Sequence, residues 1–315
     1  MNLLDLKSNN QKQLFSFDNI FLDIVKLYDK KKLPNKILFS GPKGTGKATL
    51  AYHLANYIFS KKEEFPYDVN KFKINNLNKS YKLILNSTHP NFHLINVLTD
   101  KKIIEISQIR QMINYANKSA FNNRERIVLI DNAENLNLNS LNALLKIVEE
   151  PNENIIFIII FDNNKKILNT LKSRCLKFNL FLTFDQSIET VNTIIEKNVY
   201  DLISKDLINH YNTTGDFINL INFSLLSKID LSEISLKNFL INLIDEKHYK
   251  KDGFIKNNIY KYVEFYLLNL MKFKASRNKI SYLYKNFINK IYDLKKFNLD
   301  EESFFIEFKT KVLDE

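Results

Sequence analysis

The chain has a single cysteine, Cys175, among its 315 residues. One thiol cannot close an intrachain disulfide, and it cannot supply the several cysteine ligands of a structural zinc site. We therefore expect a reducing, cytoplasmic setting and a fold that needs no zinc.

Long apolar runs are also missing. No run reaches the roughly 18 apolar residues that a membrane-spanning helix needs. The first residues, MNLLDLKSNNQKQ, lack a charged segment followed by an apolar one. We expect neither a membrane span nor a signal peptide. With 45% hydrophobic residues, a chain of this length suits roughly two or three packed domains.

Arginine is scarce although the chain is basic. The formal net charge is +11, yet only five arginines occur: Arg110, Arg124, Arg126, Arg174 and Arg277. A positive surface is typical of proteins that contact nucleic acid. A compositional origin is equally open, because Lys, Asn, Ile and Phe are abundant throughout, as an A+T-rich genome would encode. Charge alone therefore does not establish a DNA site.

Glycine is rare as well, and its distribution is uneven. Three of the five glycines, Gly41, Gly44 and Gly46, lie within six residues. They follow an apolar run, Ile37–Phe39, that predicts a buried strand, and they precede Lys47 and a helix-like segment. Strand, glycine-rich loop, lysine and helix form the layout of a P-loop, in which backbone N–H groups and a helix N-terminus surround phosphate oxygens.

One residue departs from the P-loop pattern. The pattern places a Ser or Thr hydroxyl directly after the lysine, where it ligates Mg²⁺. Here that position is Ala48. Thr49 is a poor substitute, because one step along a helix turns a side chain by about 100°. The loop is therefore expected to keep its shape and to lose a metal ligand.

Apolar runs alternate with helical patterns through the first 182 residues. The expected strands are Ile37–Phe39, Phe92–Val97, Arg126–Ile130, Asn154–Phe161 and a last one near Leu176–Leu182, and the expected helices are Phe17–Tyr28, Ala48–Phe59, Ile103–Ala116, Leu136–Glu149 and Lys166–Lys172. This alternation predicts a parallel sheet covered on both faces. Ligands of such sheets bind at the carboxyl ends of the strands. The Lys- and Asn-rich stretch 61–82 is expected to be a surface excursion.

The third expected strand ends in a candidate magnesium ligand. Asp131 follows RIVLI, but the next residue is Asn132, where ATP hydrolysis would need a carboxylate to polarise water. Glu134 lies two residues further on. An alternative is that Asp131 and Glu134 only cap the following helix.

Beyond Thr183 the apolar spacing becomes helical to the end, with expected boundaries near 182 and 228. Large apolar residues in the last segment, among them Phe287, Ile291, Phe305 and Phe308, predict an assembly surface.

Four motifs occur in the order found in bacterial DNA polymerase III clamp-loader AAA+ subunits: Ile37–Thr49, Arg126–Glu134, Ser140–Pro151 (SLNALLKIVEEP) and Ser173-Arg174-Cys175. The chain resembles this family strongly over 37–182 and weakly beyond. The resemblance implies an α/β AAA+ P-loop core over 1–182, a parallel sheet between helices. It further implies a small helical lid over 183–228 and an all-α collar, an oligomerisation domain, over 229–315.

Within the family the chain looks like the delta-prime group, not the gamma/tau motor. Ala48 and Asn132 replace groups that hydrolysis needs, and Asp216 stands where the motor's lid has a basic residue. The cysteines that bind zinc in many relatives are missing. A degenerate nucleotide site is implied, which still allows residual ATP binding, with no certain cofactor; its residues are Gly41, Gly44, Gly46, Lys47, Thr49 and Asp131.

The resemblance also implies a role for Arg174, with Ser173 beside it. In the family this Arg acts in trans as an arginine finger on the ATP of a neighbouring subunit. The alternative is a surface Arg without that role. The implied partners are gamma/tau and delta, and, through the complex, the sliding clamp and primed DNA, with no membrane. Two rivals stay open: a gamma/tau-like subunit that hydrolyses ATP itself, and a P-loop kinase acting on a small molecule. Cys175 is expected to be a small core residue.

Overall fold

The computed structural model describes most of the chain, in the ranges 3, 6–98, 101–117, 125–149, 154–165, 169–272 and 277–314. The chain divides into two compact units. The first unit comprises Met1–Thr190 and Thr213–Gly215, and the second comprises Val191–Asn212 and Asp216–Glu315.

The first unit contains a parallel sheet of five strands. In chain order they are β1 (Lys36–Gly41), β2 (Phe92–Ile95), β3 (Arg126–Ile130), β4 (Ile155–Asp162) and β5 (Leu176–Asn179). Their order across the sheet is β2-β3-β4-β1-β5, and every pairing is parallel. From β1 the chain runs to the far edge of the sheet at β2, returns through β3 to β4 beside β1, and then crosses β1 to β5. Because β3, β4 and β1 are neighbouring parallel strands, their carboxyl ends lie at the same edge of the sheet.

Helices connect and cover these strands. In chain order they are α1 (Asp18–Asp29), α2 (Lys47–Ser60), α3 (Lys79–Leu85), α4 (Ile106–Asn117), α5 (Leu138–Glu149) and α6 (Asn169–Lys172). The next helix, α7 (Phe184–Ile195), follows β5 and belongs in part to each unit. The parallel α/β core expected from the sequence is confirmed. Individual ends differ from the expected ones by a few residues: α4 begins at Ile106, not Ile103, and β5 ends at Asn179. The expected start of α6, Lys166, lies outside the described residues.

Each face of the sheet has its own apolar core, because successive side chains along a strand point to opposite faces. Ile37, Phe39 and Ile158 join the core that α1 and α2 cover. Leu38 and Phe157 join the core that α4 and α5 cover. Strands buried on both faces must be apolar at nearly every position, which explains the unbroken runs in β3 and β4.

The expectation of a surface excursion over 61–82 is wrong for three of its large side chains. Tyr67, Ile74 and Tyr81 are buried in the first core, and the ring of Tyr67 lies 5.1 Å from that of Phe21. The abundant lysines stay outside and mask this pattern in the sequence.

The carboxylate of Glu63 joins the beginning of the same segment to its end. Glu63 accepts hydrogen bonds from Asn78 Nδ2 at 2.8 Å, from the Ser80 amide at 3.1 Å and from the Ser80 hydroxyl at 2.7 Å. Asn78 in turn caps α3 by accepting from the Tyr81 amide at 2.8 Å. In the part of the chain described, no group of three His, Cys, Asp or Glu side chains is placed to hold a metal ion.

The second unit is helical. It contains most of α8 (Thr214–Ser227), then α9 (Leu236–Asp245), α10 (His248–Lys251), α11 (Gly253–Leu270), α12 (Arg277–Phe297) and α13 (Glu301–Phe308), followed by a π-helical turn, Lys309–Leu313. Within the described ranges, no helix is long and apolar enough to cross a membrane.

The large apolar residues expected to form an assembly surface lie inside this unit. Phe287, Phe305 and Phe308 are at most 2% exposed, and the ring of Phe287 lies 5.2 Å from that of Phe308. They form the unit's own aromatic core. The exposed apolar residues of α12 are different ones, chiefly Tyr282 and Tyr292.

Candidate functional site

The glycine-rich loop after β1 adopts a conformation that explains two of its glycines. Gly44 and Gly46 have φ angles of 88° and 94°. Residues with a Cβ avoid this left-handed region, so Gly is needed at both positions. The turn ends at Gly46, and α2 begins at Lys47 with its N-terminus directed at the loop. Such an arrangement is suited to an anion, because unpaired N–H groups and the helix dipole point the same way.

A distant segment of the first unit packs directly on this loop. The Gly215 amide donates a hydrogen bond to the Gly44 carbonyl at 2.9 Å. A Cβ added to Gly215 would lie 2.7 Å from Gly44 Cα, and one added to Gly44 would lie 2.4 Å from Thr213 Oγ1. Gly44 is therefore needed for close contact as well as for its φ angle.

The P-loop lysine is turned back onto its own loop. Lys47 is only 6% exposed, and its ammonium donates hydrogen bonds to the carbonyl oxygens of Gly41, at 2.8 Å, and Pro42. Burial lowers the pKa of Lys47 to about 8, although the nearby carboxylates of Asp162 and Glu134 act in the opposite direction. The ammonium is thus bound by two carbonyls of its own loop.

Three carboxylates stand at the strand ends beside the loop. Gly41 of β1 pairs with Asp162 of β4, and Asp131 directly follows β3. Burial raises the pKa of the Asp131 carboxyl, which accepts a hydrogen bond from the Asn132 amide at 2.8 Å. Glu134 accepts a hydrogen bond from the Asp162 amide at 3.1 Å, so its carboxylate helps to hold the end of β4.

Asn132 is committed to a structural contact. Its φ angle is 55°, a left-handed conformation that Asn tolerates better than most residues. Its side-chain amide donates to Asn96 Oδ1 at 2.9 Å, which links β3 to the end of β2. At this position ATP hydrolysis would need a carboxylate that activates water, whereas here an uncharged amide is hydrogen-bonded to Asn96.

A cavity of about 190 Å³ lies between the loop and the strand ends. Its lining residues are Ser8, Lys43, Gly44, Gly46, Lys47, Ala48, Asp131, Asn132, Glu134, Ile160 and Asp162. The volume is below the roughly 300–1,000 Å³ of small-molecule sites. Three carboxylates face two lysines here, so the lining has no surplus of positive charge for a triphosphate.

The structure brings together most of the residues expected at the nucleotide site. Gly44, Gly46, Lys47 and Asp131 line the cavity, whereas Gly41 and Thr49 do not. Ala48 lines it instead, without a hydroxyl. Glu134, which the sequence offered only as a neighbour of Asp131, and Asp162 also line the cavity. Asp162 directly follows Phe161, whose strand was expected to end at this edge of the sheet.

Arg174 and Ser173 lie apart from the cavity's lining, in the turn between α6 and β5. Ser173 Oγ donates to the Thr170 carbonyl at 3.1 Å. The Arg174 side chain is 37% exposed, and its Nη2 lies 2.8 Å from Glu149 Oε1. Glu149 lies in the motif Ser140–Pro151, but nothing in the sequence pairs it with Arg174, because the pairing joins residues of different elements. Cys175 is half-buried, and burial raises the pKa of its thiol to about 11, which disfavours the reactive thiolate.

Residues 18–182 match the model of a protein family described as DNA polymerase III, delta subunit. The chain is 29% identical over 140 residues to the DNA polymerase III subunit delta' of Pseudomonas aeruginosa, covering 44% of this chain and 41% of that protein. It is 31% identical over 182 residues to the subunit delta' of Buchnera aphidicola from Schizaphis graminum, covering 58% and 52%.

A gamma subunit is similar too. The DNA polymerase III subunit gamma of the same Buchnera strain is 30% identical over 227 residues, covering 69% of this chain and 59% of that protein. The matched regions span about half of the length of the two delta' relatives.

Proposed function

Because the chain belongs to the DNA polymerase III delta-subunit family, we propose that it is a delta-prime-type subunit of a bacterial replicative clamp loader. It would assemble with gamma/tau and delta subunits in the cytoplasm. The assembled loader would open a ring-shaped sliding clamp and close it on primed DNA. Relatives named delta' and gamma support this reading.

The observation that carries the proposal is Ala48, which lines the cavity at the position where the P-loop pattern has the hydroxyl that ligates Mg²⁺. The three nearby carboxylates would oppose a triphosphate unless a cation screened them, and Ala48 supplies no ligand for that cation. We infer a subunit that does not hydrolyse ATP itself.

Arg174 is the residue through which such a subunit would act. In this proposal its guanidinium completes the ATP site of a neighbouring gamma/tau subunit, where a fixed cationic fork stabilises the charge that develops on the γ-phosphate. Its exposure, in a chain with only five arginines, is consistent with this role.

The three-part organisation inferred from the sequence stays part of the proposal. Residues 1–182 would form the AAA+ core, 183–228 a lid, and 229–315 the collar through which the ring assembles. In this reading the exposed α12 residues Tyr282 and Tyr292 are candidates for the assembly surface, because they are not used in the aromatic core.

A gamma/tau-like ATPase is the second candidate, and two observations favour it. The loop keeps its left-handed glycines and its lysine, and a gamma subunit matches a longer stretch of this chain than the delta' proteins described above. This candidate predicts ATP turnover by the purified chain.

One experiment separates the two candidates. The purified chain is assayed alone for ATPase activity, and then mixed with gamma/tau and delta from the same source and scored for complex assembly. The proposal predicts assembly without turnover by the isolated chain. Turnover on the order of 1 s⁻¹ that Lys47→Ala abolishes would favour the ATPase.

A further inference from the structure

The side chain of Arg174 is held at two points. Nη1 donates to the Thr170 carbonyl at 2.8 Å, within the same turn. Nη2 lies 2.8 Å from the carboxylate of Glu149, which comes from another element. A guanidinium has five N–H donors in one plane. These two contacts therefore fix the orientation of the plane and leave three donors for a further ligand.

Glu149 is a rigid support for such a contact. It is the last residue of α5, a helix anchored by the buried residues Leu141, Leu144 and Val148. Lys36 Nζ donates to the Glu149 backbone carbonyl at 3.2 Å and fastens the helix end to β1. The carboxylate therefore projects from a fixed backbone, whereas Arg174 lies in a turn.

The position of Glu149 is unfavourable by itself. A helix C-terminus carries partial negative charge, so a carboxylate there is disfavoured and a cation is preferred. The nearby guanidinium offsets this repulsion. The side chains of Arg174 and Glu149 are 37% and 48% exposed. Ion pairs as exposed as this one add little to folding stability. Its effect is therefore expected in the orientation of Arg174.

We propose that Glu149 is a positioning residue for the arginine finger: it holds the Arg174 guanidinium in the orientation in which the remaining donors meet the γ-phosphate of the neighbouring subunit. This rests on the proposed function of Arg174. A long arginine side chain loses much rotamer freedom when it binds, and a side chain that is already oriented loses less. Removal of the carboxylate should lower the rate at the completed site about three- to tenfold.

The pairing can be tested in the free protein by NMR of arginine side chains. With five arginines in the chain, the Nε–Hε spectrum is simple, and Arg174→Ala identifies the signal. Glu149→Gln keeps the shape and removes the charge. We expect it to increase the picosecond-to-nanosecond motion of Arg174 Nε, towards the order parameters below about 0.6 of flexible groups. Glu105→Gln, which breaks the exposed pair with Lys101 at 3.2 Å, is the matched control and should leave the signal unchanged.

The effect on function can be tested by a double-mutant cycle in the assembled complex. ATP hydrolysis stimulated by clamp and DNA is measured at the site beside this chain, with the other motor sites silenced through their own P-loop lysines. Glu149→Gln should lower the rate about three- to tenfold, Glu149→Asp less, and Glu105→Gln not at all. In the Arg174→Ala background, Glu149→Gln should cause no further loss, because a positioning residue acts only through the residue it positions.

Each alternative result is decisive. A higher rate with Glu149→Gln would mean that the carboxylate competes with the phosphate, and would overturn the positioning role. An unchanged rate, or equal losses with and without Arg174, would overturn it while leaving the arginine finger in place, provided Arg174→Ala itself lowers the rate. If Arg174→Ala has no effect, the proposed function fails, and the positioning role fails with it.

Discussion

The backbone amide of Gly215 donates a hydrogen bond to the carbonyl oxygen of Gly44, although the two residues are far apart in the sequence. The two glycine backbones approach so closely that no side chain fits between them. This contact fastens the segment Thr213–Gly215 to the P-loop within the first unit. A loop that keeps the glycines of a nucleotide site thus uses one of them for packing.

Gly215→Ala is therefore expected to destabilise the protein. The added methyl would lie 2.7 Å from Gly44 Cα, a backbone atom that cannot easily move, and overpacking of this kind costs about 1–3 kcal/mol. Gly253→Ala is the control, because nothing lies within 4 Å of a Cβ at this helix position, where Ala should be neutral or stabilising. Urea unfolding of both variants measures the difference. Equal stabilities would show that the loop gives way without cost.

Arg174→Ala should leave the chain folded and the complex assembled, since surface substitutions usually change stability by less than about 0.5 kcal/mol. ATP hydrolysis at one neighbouring gamma/tau site should fall by about 10³–10⁵. Total hydrolysis would fall only in part, and clamp loading would fall more. Arg174→Lys should not restore activity, because lysine lacks the planar fork. Wild-type rates in an assembled Arg174→Ala complex would show that this residue is not a finger.

His53 should make the first unit sensitive to acid. The ring is fully buried in α2; its Nδ1 accepts from the Tyr67 hydroxyl at 2.8 Å, and its Nε2 donates to the Gln11 carbonyl at 3.1 Å. Burial lowers the pKa of His53 from 6.5 to about 4, and the hydrogen bond to Gln11 opposes this only in part. The unfolded chain therefore binds a proton at a higher pH than the folded chain does.

The sign of the effect follows from proton linkage. The stability that the neutral His53 contributes is complete above about pH 6.5 and is lost as the pH falls towards about 4, at most about 3 kcal/mol. The free energy of unfolding, measured in urea from about pH 7.5 to 4, should fall more in the wild type than in His53→Gln. Parallel pH profiles of the two proteins would contradict the assignment. The difference between the two pH profiles isolates the contribution of His53, because the carboxylates titrate alike in both proteins.

We expect the hydrogen bonds that Glu63 accepts, and not a bound metal, to hold segment 61–82 in its fold. Glu63→Ala would leave the buried Asn78 Nδ2 and the Ser80 amide without their acceptor, and an unmatched buried group costs about 1–3 kcal/mol. Glu64→Ala, at the exposed neighbouring position, is the control and should have little effect. Hydrogen exchange of the α3 amides should accelerate in Glu63→Ala alone. A chelator should leave the melting temperature unchanged, whereas a drop would point to a bound metal.

Local patterns in the sequence were enough to predict the sheet, the P-loop and the missing magnesium ligand. Unbroken apolar runs imply a parallel sheet, and glycines clustered between a strand and a lysine imply a left-handed turn; both signals lie within a few residues. The same patterns could not show that Tyr67 is buried, because burial of one residue in a lysine-rich segment depends on what packs against it. Nor could they separate Phe287, which fills a core, from Tyr282, which faces outward.

The amino-acid sequence by itself thus determined the chain's α/β core, its helical remainder and the missing hydroxyl after Lys47, since these depend on residue type and spacing. Only the tertiary structure decided that Lys47 bonds its own loop, that Gly215 closes on Gly44 and that Glu149 holds Arg174. Each of these contacts depends on the distance and orientation between two groups that lie on different elements. Such geometry is set by how the elements pack, which no single stretch of sequence encodes.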